Sequence, residues 1–261
     1  MMDVYWLEQT EADVSAENDW LSESEVVQLD GLRFSKRRAD WRLGRWTAKR
    51  ALAAYWNMSG DPQALSGIEI RPARSGAPEV FLADQLAAIA ISLSHRAGTA
   101  ICAVMTAGGA LGCDLEAIEP HSDDFVTDYF TAEEQALVAQ ALAADRPRLL
   151  ALLWSGKESA LKALRVGLRL DTRSVVVSPV GGLESRREGG AGRIEGSALT
   201  SPPSCGPDGW FPLRVRYLNG QIFHGWWLHT SSLVITLVAD PPPAPPTRLK
   251  IPVQAAPGAK P

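Results

Sequence analysis

Cysteine is scarce: the 261 residues hold only Cys102, Cys113 and Cys205, with no C-x-x-C spacing. An odd, sparse set argues against a disulfide framework and fits reduced thiols in a cytoplasmic protein. Long apolar runs are missing as well. No stretch reaches the ~20 residues that a membrane helix requires. The opening MMDVYWLEQTEADVS has neither a basic lead nor an apolar run, so neither a membrane partner nor a signal peptide is expected. Positive charge is not in excess: 26 Lys and Arg against 30 Asp and Glu give a formal net charge of −4. A nucleic-acid partner, which would call for a strongly basic face, is therefore not expected. No G-x-x-x-x-G-K-[ST] run is present, which weakens any reading as a Walker-type nucleotide phosphohydrolase. What remains is an ordinary soluble composition, 46% hydrophobic and 21% charged. The length suffices for one large domain or two smaller ones with their own cores.

Periodicity organises the chain. Residues 4–7 read as a short strand, and apolar Trp41, Ala48, Leu52, Tyr55 and Trp56 place a long helix from Ser35 to about Met58. Gly60-Asp61-Pro62 ends it. Three short β-favouring segments follow at Ala88–Ser94, Thr99–Met105 and Ala110–Glu116, separated by glycine-containing turns. Thr131 and Glu134 stand in the T-x-x-E arrangement of a capping box and open a second helix. A third runs from about Arg148 to Arg165. Strands are expected again at Val175–Val180, Phe211–Leu218, Phe223–Thr230 and Leu233–Val238. Residues 181–209, rich in Gly, Ser and Pro, read as a mobile loop, and the prolines of 241–261 as a disordered tail. The order predicts an α+β protein in two halves, residues 1–109 and 110–240. No sequence repeat strong enough to relate the halves is evident.

Three groups of residues carry candidate chemistry. Asp114 and Glu116, in Gly112-Cys113-Asp114-Leu115-Glu116, share one face of a strand. Adjacent carboxylates repel unless a cation lies between them, and oxygen ligands of this kind suit Mg²⁺; the alternative is a solvated strand face. Next comes Trp154-Ser155-Gly156-Lys157-Glu158-Ser159-Ala160-Leu161-Lys162. Trp154, Glu158 and Lys162 recur at i, i+4 and i+8, so Glu158 could join a carboxylate site while Lys157 and Lys162 face phosphate oxygens. A plain Glu158–Lys162 helix pair, worth ~0.2–0.5 kcal/mol, explains the same spacing. Third, Arg38, Arg42, Arg45 and Lys49 line one stripe of the long helix, able to grip a phosphate or to be solvated. Ser94-His95, at a strand end, adds a hydroxyl and an imidazole.

Taken in order, Trp41-Arg42-Leu43-Gly44-Arg45, Ser92-Leu93-Ser94-His95, Gly112 to Glu116 and Trp154 to Lys162 resemble the motifs of the surfactin-type branch of the 4′-phosphopantetheinyl transferases. The resemblance covers roughly residues 35–170. It implies two similar α+β halves related by a pseudo-twofold, with coenzyme A in the cleft between them. It implies Mg²⁺ on Asp114, Glu116 and Glu158, with Glu158, Lys157 and Lys162 as the catalytic group. Arg45, Lys49, Ser94, His95, Asp114, Lys157 and Lys162 would bind coenzyme A. Glu134 matches an acidic family position near the metal or pyrophosphate, and its capping box explains it equally well. Gly76-Ala77-Pro78 departs from a family G-K-P tripeptide, a contact that Arg74 could take over.

The activity so implied moves the phosphopantetheine arm of coenzyme A onto a serine of an acyl or peptidyl carrier protein, releasing 3′,5′-ADP. Arg165, Arg169 and Arg173 could meet an acidic carrier helix. A monomer suffices for one cleft. A binding protein without turnover, or another Mg²⁺-dependent phosphotransferase, are the competing classes.

Overall fold

The computed structural model describes residues 1–180 and 209–251. The expected loop at 181–209 therefore falls, but for its last residue, outside the described residues, as does the tail beyond 251. The chain forms two compact units, Tyr5–Ala107 with Thr247–Pro261 and Met1–Val4 with Gly108–Pro246.

The N-terminal unit opens with β1 (Tyr5–Thr10) and α1 (Glu23–Asp30). Ser22 caps α1 in a reciprocal capping box with Glu25, each backbone N–H donating to the other's side chain. The long helix is α2 (Ser35–Tyr55), which stops at Asn57 in a left-handed conformation (φ 53°). Asp61 then caps the short α3 (Pro62–Ser66), with proline in its first turn. The hairpin strands β2 (Ile68–Pro72), β3 (Pro78–Leu82) and β4 (Gln85–Leu86) follow, then β5 (Ile89–Arg96) and β6 (Thr99–Thr106). Strand β6 pairs antiparallel with both β1 and β5, and β2-β3-β4 form a separate sheet. The apolar side of α2 (Ala48, Ala51, Leu52) packs with Leu7, Ile91, Cys102 and Val104 into one core.

The C-terminal unit runs β7 (Ala110–Ala117), α4 (Asp123–Tyr129), α5 (Ala132–Gln140), α6 (Arg146–Ala163), β8 (Val175–Pro179), β9 (Phe211–Tyr217), β10 (Ile222–His229) and β11 (Leu233–Asp240). Its five strands form one antiparallel sheet in the order β7-β11-β10-β9-β8, with α6 buried against it. Setting β4, the short α3 and α4 and the two-residue strand at Thr247–Arg248 aside, both units run strand, helix, helix and then four strands. In each, the first strand pairs with the last and the last with the one before it.

The proline-rich stretch differs from its expectation. Within 241–251, Ala244 N–H donates to Met2 O and β12 (Thr247–Arg248) pairs in parallel with β1. Prolines there leave alternate backbone groups free to pair at a sheet edge.

Two glycines of the expected motifs have a packing cause. A Cβ on Gly112 would lie 1.8 Å from Ser159 O, so α6 can approach β7 only where β7 has no side chain. A Cβ on Gly156 would meet Val177 Cγ1 at 2.8 Å.

Candidate active site

Strand β7 and helix α6 bring part of the expected set together. Lys162 Nζ donates to Asp114 Oδ1 at 2.7 Å and to Cys113 O at 3.1 Å. Asp114 is buried at 3% exposure, while Lys162 remains partly exposed. Burial pulls the Lys162 ammonium down, but the Asp114 carboxylate and then Glu158 outweigh it and hold its pKa above the ordinary lysine value. Glu158 is the mirror case. Burial, reinforced by the nearby Asp114 charge and opposed by Lys162, pushes its carboxyl above the usual range. Glu158 Oε1 is buried with no hydrogen-bond partner among the described residues.

Beneath this cluster, Ser155 and Ser159 on α6 both hydrogen-bond Thr236 Oγ1, at 2.8 and 2.7 Å. Thr236 lies directly across from Asp114 in the β7–β11 register. These buried hydroxyls pin the helix that carries Glu158 and Lys162 to the strand pair that carries Asp114.

The expected three-carboxylate set is only partly assembled. Among the described residues, no group of three or more His, Cys, Asp or Glu side chains is placed to hold a metal ion. Three anions without a cation repel, and Lys162 supplies the neutralising charge to Asp114. Glu116 stands half-buried near the end of β7, opposite Val234. The donor chemistry still fits a hard divalent ion. Asp114 and Glu158 are electrostatically coupled carboxylates, and a buried, unpartnered Glu158 oxygen is what such an ion would satisfy.

Lys157 faces the interior and not the Asp114 cluster. Its side chain has no exposed surface, and Nζ donates to Glu134 Oε2 (2.7 Å), Thr172 O (2.9 Å) and Val175 O. An ammonium has three donors, so none is left for a phosphate. Glu134 Oε1 in turn accepts from Val177 N–H at 2.8 Å, and Glu134 closes the Thr131 capping box. Glu134 thus serves the fold, as its T-x-x-E spacing indicated. Burial lowers the Lys157 pKa while Glu134 raises it, and burial wins.

Lys49 is engaged in the same way. It is fully buried, bridging Glu25 (2.5 Å), Trp20 O (3.0 Å) and Leu65 O (3.1 Å). Glu25 Oε1 accepts from Ile70 N–H at 3.2 Å. Arg38 and Arg42 are likewise spent on the fold: Arg38 donates to Leu29 O, and Arg42 to the carbonyls of Ser15, Ala16 and Glu17. Much of the basic stripe ties down the segment before α2.

Arg45 keeps 13% of its side chain exposed, lies 5.0 Å from the Trp41 ring centre and stands 3.8 Å from Glu25. Burial depresses its pKa and Glu25 partly restores it. His95 is exposed and Ser94 half-buried at the end of β5, with the His95 ring beside Gly44 of α2. Gly44 and His95 are therefore neighbours within the N-terminal unit, while the Arg45 side chain lies against Trp41 and Glu25.

A pattern that sequence reading missed now becomes visible. Trp46-Thr47-Ala48-Lys49 and Trp154-Ser155-Gly156-Lys157 are the same W-[ST]-[AG]-K signature on α2 and α6. Each lysine meets the glutamate of a capping box, and each glutamate accepts from a strand N–H. Ser22-x-x-Glu25 repeats Thr131-x-x-Glu134, a signal hidden in a stretch that reads only as polar.

Comparison with known proteins bears on the unit that holds Asp114, Glu158 and Lys162. The family model described as the 4′-phosphopantetheinyl transferase superfamily matches residues 110–196. The holo-[acyl-carrier-protein] synthase of Streptococcus sanguinis (strain SK36) is 32% identical over 85 residues, which span 33% of this chain and 70% of that protein. The chain belongs to the 4′-phosphopantetheinyl transferase superfamily.

Among solved structures, Helicobacter pylori holo-[acyl-carrier-protein] synthase, determined in complex with coenzyme A, covers 40% of this chain and 99% of its own at 19% identity. Its TM-score of 0.31 is too low to bear on the arrangement of this phosphopantetheinyl transferase. Among the described residues, no helix is long and apolar enough to cross a membrane.

Proposed function

We propose that the protein transfers 4′-phosphopantetheine from coenzyme A to a serine of an acyl or peptidyl carrier protein, releasing 3′,5′-ADP. The observation that carries this reading is the Asp114–Lys162–Glu158 cluster, which lies inside the segment matched by the family model. The S. sanguinis relative is by name a synthase of holo-acyl-carrier protein, and the H. pylori protein binds coenzyme A.

In the step proposed, the carrier serine Oγ forms a bond to the β-phosphorus of coenzyme A as the bond to the bridging oxygen breaks. The electron pair leaves with 3′,5′-ADP, and the serine proton passes to Glu158. A carboxyl whose pKa burial raises is a stronger base than an exposed one, which suits Glu158 to that role. Lys162, held protonated by Asp114, offers positive charge to the pyrophosphate oxygens as they gain charge. Asp114 and Glu158 would hold Mg²⁺, with Glu116 further along the same face of β7, and the ion when bound would supply Lewis-acid stabilisation of those oxygens. Ser94 and His95 would face the phosphates of coenzyme A, and Arg45 would lie near its 3′-phosphate.

Intact-mass spectrometry of an apo carrier protein incubated with coenzyme A, Mg²⁺ and this protein tests the reading. A gain of one phosphopantetheine, abolished by a chelator, is the expected result. Release of phosphate without carrier modification would point to a phosphohydrolase instead. No modification of several carriers despite coenzyme A binding would favour a non-catalytic binder.

A further inference from the structure

Three hydroxyl side chains lie fully buried beneath the Asp114–Lys162–Glu158 cluster: Ser155 and Ser159 on α6 and Thr236 on β11. Ser155 Oγ and Ser159 Oγ stand 2.8 and 2.7 Å from Thr236 Oγ1, and Ser159 Oγ donates to Thr236 O at 3.3 Å. One set of donors satisfies all three contacts: Ser155 to Thr236 Oγ1, Thr236 Oγ1 to Ser159 Oγ, and Ser159 to Thr236 O. Stability does not call for this arrangement. An apolar trio of the same shape would be nearly neutral or more stable, because a buried hydroxyl only replaces the hydrogen bonds it made to water. What the hydroxyls add is direction. A hydrogen bond weakens steeply when misaligned, whereas apolar burial is indifferent to a small slide.

The N-terminal unit supplies the contrast. With Lys49 aligned to Lys157, Thr47 falls opposite Ser155 and Ala51 opposite Ser159. Thr47 Oγ1 donates back to Leu43 O of its own helix at 2.8 Å, and Ala51 has no hydroxyl to offer. Among the described residues, these positions of α2 therefore make no hydroxyl bridge to a strand. The bridge belongs to the helix that carries Glu158 and Lys162. Ser159 follows Glu158 directly, and Thr236 is the residue opposite Asp114 on the neighbouring strand. Gly112 lets the backbone of α6 lie against β7, and the hydroxyls fix how the helix is turned and shifted along that contact. We infer that Thr236 is a positioning residue: its hydroxyl sets the register of α6 against β7 and β11, and so holds Glu158 and Lys162 in place around Asp114. The inference rests on the proposed function, which puts the reaction at that cluster.

The test measures transfer to an apo carrier protein, and thermal melting, for three variants beside the unaltered protein. Thr236→Val keeps nearly the same shape and removes the hydroxyl; Thr236→Ser keeps the hydroxyl. Val215→Ala opens a hole in the same core, on β9 and away from the bridge. Thr236→Val should lower kcat by at least about tenfold, since a misplacement of about 1 Å can cost about a hundredfold. Its KM for coenzyme A and for the carrier should stay within about twofold, and its melting temperature within about 4 °C. Thr236→Ser should keep kcat within a few-fold. Val215→Ala should melt at least as low as Thr236→Val and, below its melt, keep kcat within a few-fold. A kcat for Thr236→Val within about twofold of the unaltered protein would overturn the inference. So would Thr236→Ser as slow as Thr236→Val, or an equal loss in Val215→Ala, which would make rate follow stability. Should Thr236→Val fail to fold, Ser155→Ala combined with Ser159→Ala removes the bridge from the helix side, under the same expectations. An unaltered protein that transfers nothing to any carrier would overturn the proposed function, and this inference with it.

Discussion

The two units share a frame but not a charge pattern. In each, a helix-capping glutamate is buried against a lysine of a W-[ST]-[AG]-K helix: Glu25 with Lys49 at 2.5 Å, Glu134 with Lys157 at 2.7 Å. Beyond the lysine the helices diverge. Aligning them places Arg50 opposite Glu158 and Ala54 opposite Lys162. Arg50 donates to Gly60 O and lies over the Trp46 ring, serving the fold. Glu158 and Lys162 instead surround Asp114 with incompletely satisfied charge. A common scaffold thus carries a reactive cluster in one unit and only structural contacts at the matching positions of the other.

The largest effects should come from the shared frame. Lys157→Met leaves Glu134 as an uncompensated buried charge, and such losses cost about 3–5 kcal/mol. Lys49→Met should cost a similar amount through Glu25. Urea unfolding of both variants checks the parity, and a cost below about 1 kcal/mol for either would break the likeness between the units. Gly112→Ala should follow at about 1–3 kcal/mol, because α6 must retreat from β7 to admit a methyl group.

The third contrast separates chemistry from stability. Glu158→Gln should lower kcat by at least about a hundredfold while the protein stays folded and binds coenzyme A, whereas Arg50→Gln should leave kcat within a few-fold. The sign of the pH effect follows from the raised pKa of Glu158. The folded state prefers the protonated carboxyl, so its contribution to stability is full below the unfolded pKa. It is lost as pH rises through the folded value. Glu158→Gln should therefore melt higher than the unaltered protein at pH 7–8 and lose that advantage in acid, which thermal melts across pH measure.

The smallest effect expected is at the periphery. Arg165→Glu with Arg169→Glu should raise KM for the carrier a few-fold and leave KM for coenzyme A unchanged. Arg173 is a poorer choice, because it is already engaged with Asp171 at 2.9 Å. Equal changes for both substrates would remove these arginines from carrier docking.

Much of the frame was legible in the sequence because strong periodicity writes it directly. Helix α2, strands β5 to β7 and the Thr131 cap fall within a few residues of their expected places. Strands β2 to β4 and helix α1 went unread. Their segments are short and polar on one face, and their stability comes from contacts distant in sequence, such as Glu25 to Ile70. The candidate site divides in the same way. Strand alternation and helix spacing made Asp114, Glu158 and Lys162 candidates and the family resemblance singled them out, whereas burial separates Lys162 from Lys157, and no spacing rule conveys burial. The basic stripe is the same lesson at larger scale: four cations on one helix face look alike until the carbonyl partners of Arg38 at 29 and 32, of Arg42 at 15–17 and of Lys49 at 20 and 65 are placed.

The most direct measurement of the central claim is the rate of phosphopantetheine transfer to one apo carrier protein, followed by intact mass, for the unaltered protein, Glu158→Gln and Arg50→Gln side by side. The account predicts one phosphopantetheine added per carrier by the unaltered protein and by Arg50→Gln, with Glu158→Gln slower by at least about a hundredfold. Equal rates for all three would contradict the assignment of the chemistry to the cluster on β7 and α6.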